Sequence, residues 1–92
     1  MVNRQPKGKE NIIRLVRKAI ELLADKNVSQ MLILSSYKIN SVLQENFGVK
    51  IKVDIIGRVL GRIAKLNQLK RLNTNIPKYK LKVSHVSSLE FF

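Results

Sequence analysis

Apolar side chains recur at two different periods in this chain, and the change from one to the other constrains its fold most. Between residues 10 and 67 they return mainly every three or four positions, and from Tyr79 to Val83 at every second one. Side chains three or four apart share a helix face, whereas side chains two apart share a strand face. The chain therefore reads as α+β, with helices leading and a hairpin near its end. At 92 residues it has room for one core. Tryptophan and cysteine are absent, so Ile, Leu and Val must fill that core, and neither disulfides nor thiolate metal sites can form.

Ile12, Ile13, Val16, Ala19, Ile20 and Leu23 form one stripe and predict a helix over residues 10–26, with Asn27 as a left-handed stop. MLIL, residues 31–34, is too short for a helix and suits a brief buried strand. Ser35 and Ser36 are cap candidates for a second helix, marked by Ile39, Val42, Leu43 and Phe47 and ended by Gly48. VKIKV, residues 49–53, alternates and fits either an extended connector or a strand. Asp54 can cap a third helix running to about Asn67. LKRLN, residues 69–73, and a turn around Thr74, Asn75, Ile76 and Pro77 lead into Tyr79, Leu81 and Val83, which alternate with Lys78, Lys80 and Lys82. That is a hairpin with its lysines toward solvent.

Residues 1–9 read as a flexible basic arm, 10–84 as the domain, and 85–92 as a tail. Phe91 and Phe92 of that tail pack on the domain or on a second subunit.

The order helix, short strand, helix, helix, strand, turn, strand resembles the winged helix-turn-helix superfamily over residues 10–84. The resemblance rests on element order, the third helix and the basic hairpin. VKIKVD departs from it, being longer than the usual tight turn. The resemblance implies a third helix in the DNA major groove, with base readout by Arg58 and Arg62. It assigns backbone contacts to Lys78, Lys80 and Lys82 of the wing.

On a wheel, Val53, Ile55, Ile56, Val59, Leu60, Ile63, Ala64 and Leu66 fill one side of the third helix. Gly57, Gly61, Asp54, Arg58, Arg62 and Lys65 fill the other. Glycine inside a helix costs roughly 1 kcal/mol relative to alanine, so two on one face invite an explanation. Missing side chains at Gly57 and Gly61 would let the backbone approach a nucleic acid while the arginines reach phosphates or guanines in a bidentate way. Contact with another helix is the competing explanation.

Charge points the same way. The chain carries net +12, and residues 50–82 hold ten basic side chains against the single acid Asp54. Lys50 and Lys52 belong to this run with the residues named above. So one-sided a segment repels itself and suits a polyanionic partner. Catalysis has no support: His85 is the only histidine, the acids make no pair, and no phosphate loop or metal-ligand cluster is present. No cofactor is implied.

No signal-peptide pattern and no membrane-length apolar run occur, so a cytoplasmic, nucleoid-associated address is expected. The leading expectation is a small basic DNA-binding protein of bacterial or archaeal type, acting as transcription regulator or architectural protein on double-stranded DNA. The other is a basic accessory subunit of a replication, transcription or ribosomal assembly, meeting protein through the glycine surface or forming a homodimer through the tail. Structured RNA suits the same charge.

Overall fold

The first apolar stripe is buried along an 18-residue helix, α1 (Lys9–Lys26), where Val16, Ala19 and Ile20 lose all contact with solvent. The computed structural model describes residues 8–92. Of the arm expected over residues 1–9, residues 1–7 lie outside the described residues, whereas Gly8 is the N-cap of α1 and Lys9 opens the helix. Asn27 is extended (φ −79°, ψ 125°), not left-handed. Its side-chain amide donates to the carbonyls of Ser29 and Met31, at 2.7 and 3.1 Å, and so ties the turn to the next strand.

That strand is β1 (Met31–Ser35), with Leu32 and Leu34 buried. Ser35 then caps α2 (Ser36–Phe47), its hydroxyl accepting from the Lys38 amide at 3.2 Å. Gly48 ends α2 in the left-handed region (φ 62°), where a side chain would be strained. The connector keeps its alternation: Val49 and Ile51 enter the core while Lys50 and Lys52 stay exposed.

Helix α3 (Val53–Leu66) follows, and its N-cap is Lys52, without a side-chain cap. Asp54 is therefore not the cap; it lies in the first turn, where a carboxylate still favours the positive helix end. At the other end Gln68 adopts φ 55° and the Leu69 amide returns to the Ala64 carbonyl at 2.9 Å. A left-handed non-glycine residue costs roughly 1–2 kcal/mol. It turns the chain sharply from α3 into the sheet.

The sheet is antiparallel, ordered β1-β3-β2, with β2 (Lys70–Arg71) and β3 (Lys78–Lys82) joined by the loop 72–77. Leu32 stands opposite Leu81, and Leu34 opposite Tyr79. The second strand is only two residues long, shorter than the LKRLN segment suggests. Val83 does not extend β3 but opens a 3₁₀ helix, Val83–Ser88. The three α-helices pack on one another through Val16, Ile20, Ile39, Leu43, Ile56, Leu60 and Ile63, and Leu32, Leu34 and Leu81 of the sheet join the same core. The architecture is α+β, with the element order expected from the sequence.

The boundary expected after residue 84 falls inside the 3₁₀ helix. Val86, Leu89 and Phe91 pack against the core. Asn67 holds the backbone of Glu90 in both directions, donating to its carbonyl at 2.9 Å and accepting from its amide at 2.8 Å. The tail is thus docked on its own domain. Among the described residues, no helix is long and apolar enough to cross a membrane.

Candidate nucleic-acid interface

Helix α3 presents Arg58, Arg62 and Lys65 to solvent, as its wheel requires. Lys50 and Lys52 are exposed just before it. Among the described residues none of the ten basic side chains of residues 50–82 forms an ion pair; the pair recorded there joins Arg17 and Glu21 on α1 at 3.9 Å. The charge of this segment is left uncompensated by the fold. Lys70 and Lys80 even stand directly opposite each other across β2 and β3, a pairing that destabilises a sheet.

The glycines correct the wheel. They do not lie bare in the middle of the basic face: both are half-buried. A Cβ at Gly57 would meet Ser36 at 3.9 Å, and one at Gly61 would meet the Tyr79 hydroxyl at 3.7 Å. Ser36 at the start of α2 and the Tyr79 hydroxyl of β3 reach this edge of α3, so the covered arc extends toward the glycines. At its opposite edge Leu66 is left 45% exposed. Both Cβ distances are ordinary van der Waals contacts, so a methyl group would fit at either position and packing within the chain does not by itself require glycine there.

Between these elements runs an open cleft of about 860 Å³. Lys52, at the N-cap of α3, lines it with Gly57 and Arg58 of the helix, and Ile76 and Pro77 line it from the loop 72–77. Tyr37, 55% exposed, and Tyr79 are its aromatic members. Sequence periodicity missed these tyrosines. The available signal was that Tyr37 falls off the Ile39–Val42–Leu43 stripe of α2 and is therefore an exposed aromatic.

The lysines of β3 do not converge on one point. Lys78 adjoins the loop that borders this cleft, whereas Lys80 and Lys82 line a separate hollow with Lys70 and His85. Lys78 and Lys80 are also half-buried, not wholly solvated. Arg62 is engaged as well: its guanidinium lies 4.1 Å from the centroid of the Phe92 ring, a cation–π contact that holds the tail over α3.

Among the described residues no group of three or more His, Cys, Asp or Glu could hold a metal ion. Comparison of the chain with protein-family models, with curated proteins and with solved structures returned no match.

Proposed function

We propose that this protein binds double-stranded DNA as a small winged helix-turn-helix module, acting as a regulator or an architectural protein at the nucleoid. In this reading α3 lies in the major groove with Arg58 toward base edges. Arg62 joins it there when Phe92 gives way, and Lys65 with Lys50 and Lys52 meets phosphates. Lys78, nearest the loop, contacts the adjacent backbone, and Lys80 and Lys82 extend the positive surface along β3.

One observation carries the proposal: ten basic side chains between residues 50 and 82 have no carboxylate partner among the described residues. Surface charge left unpaired at the expense of stability is explained by a polyanion that pairs it on binding. The accessory-subunit alternative depends on the glycine surface and the tail. The tail is engaged within the chain, by Asn67, Arg17 and Arg62.

Equilibrium titration of duplex DNA over a range of salt concentrations tests this reading. Each neutralised phosphate contributes about −0.9 to the log–log slope, so the segment should give a slope steeper than about −3. Arg58→Ala should lower affinity unequally across sequences, while Lys78→Ala should weaken all sequences alike and flatten the slope by about 1. A slope near zero ends the nucleic-acid reading.

A further inference from the structure

The cleft beside α3 has a composition that phosphate contacts alone do not explain. Its rim is cationic, with Lys52 and Arg58, yet it also holds Asp54, an exposed carboxylate with no ion-pair or hydrogen-bond partner among the described residues. A carboxylate repels phosphate. It accepts hydrogen bonds readily from the amino and imino groups of a nucleobase. Tyr37 offers an aromatic ring in the same cleft, and base–aromatic stacking is tolerant of sequence because every base has a π-face. The volume of about 860 Å³ lies within the roughly 300–1,000 Å³ range of clefts that hold a group of small-molecule size. Gly57 lines that space, and a Cβ there would stand 3.9 Å from Ser36.

We propose that this cleft takes a single unpaired nucleobase of the bound strand, stacked on Tyr37 and hydrogen-bonded to Asp54, while Lys52 meets a flanking phosphate. The inference rests on the DNA-binding reading and adds a preference for duplexes that carry an unpaired nucleotide. A base already outside the stack has no unstacking cost to offset, so it enters more easily than one taken from a pair.

The test measures affinity at one salt concentration for three hairpin duplexes: fully paired, with a one-nucleotide bulge, and with an abasic bulge of the same backbone. The base-bearing bulge should bind about tenfold tighter than the abasic one, equal to about 1.4 kcal/mol. Tyr37→Ala and Asp54→Ala should each shrink that difference and leave the fully paired duplex within about twofold. Tyr37→Phe should keep it. Both side chains are exposed, and melting curves of the variants verify that the fold persists. Equal binding of the two bulges overturns the proposal. So does a preference that survives both alanine variants, or a loss in Tyr37→Ala that is the same for all three duplexes. If the paired duplex binds with the expected salt slope while the bulges are equal, only this inference falls. If no duplex binds, the DNA-binding reading fails and takes this one with it.

Discussion

At Gly61 a single missing methyl group separates two consequences that a helical wheel cannot tell apart. A Cβ there would stand 3.7 Å from the Tyr79 hydroxyl, an ordinary van der Waals distance. Gly61→Ala should therefore fit, and it should stabilise the fold by about 0.4–1 kcal/mol by restricting the unfolded chain and improving helix propensity. Gly61→Leu is different. Its longer side chain meets the Tyr79 hydroxyl, and Tyr79 stands opposite Leu34 in the β1–β3 register, so one of the two side chains must move. Thermal melting should show a higher Tm for the alanine variant and a lower one for leucine. A leucine variant as stable as the parent would mean that α3 presents this position to open solvent after all.

Among the elements, the tail is the one whose placement depends on a few identifiable bonds. Asn67 receives and gives a hydrogen bond at Glu90 and also donates to the Ile63 carbonyl at 2.8 Å. Removing all three in Asn67→Ala should cost about 2–3 kcal/mol, since each such bond contributes about 1 kcal/mol net. The loss should be local first: the amide of Glu90 should exchange with solvent faster, and Phe92 should no longer shield Arg62. Hydrogen exchange read residue by residue checks this. Unchanged exchange at Glu90 would show that Val86, Leu89 and Phe91 hold the tail by apolar packing alone.

For the whole molecule, charge sets the conditions under which the fold is most secure. Net +12 with one recorded ion pair among the described residues means that the folded chain repels itself. Raising ionic strength from 0.01 M to 0.15 M shortens the screening length from about 30 Å to about 8 Å. The Tm should rise across that range, by roughly 4–8 °C for each kcal/mol of repulsion relieved. DNA affinity should fall over the same range, because the same charges release counterions on binding. Calorimetry and a binding titration in matched buffers test the opposition. A Tm that falls with salt would mean that attractive pairs outweigh repulsion in the folded state.

Much of this was legible in the residue order. The stripe through Val16, Ala19 and Ile20, the MLIL strand, the Ser35 cap and the left-handed Gly48 all follow from local chemistry, which depends on neighbours a few positions away. The uncompensated charge of residues 50–82 is likewise a property of composition. What surrounds α3 was decided only by the tertiary structure. A wheel orders the residues of one helix about its own axis; it carries no information on which other elements arrive at that axis. Ser36 of α2 and the Tyr79 hydroxyl of β3 reach the edge that holds Gly57 and Gly61 and half-bury it, while Leu66 is left exposed. The same non-local packing made a cleft from Tyr37, Asp54 and Pro77, residues spread over forty positions of sequence. It also set Phe92 against Arg62 and held Gln68 in a conformation its residue type does not favour.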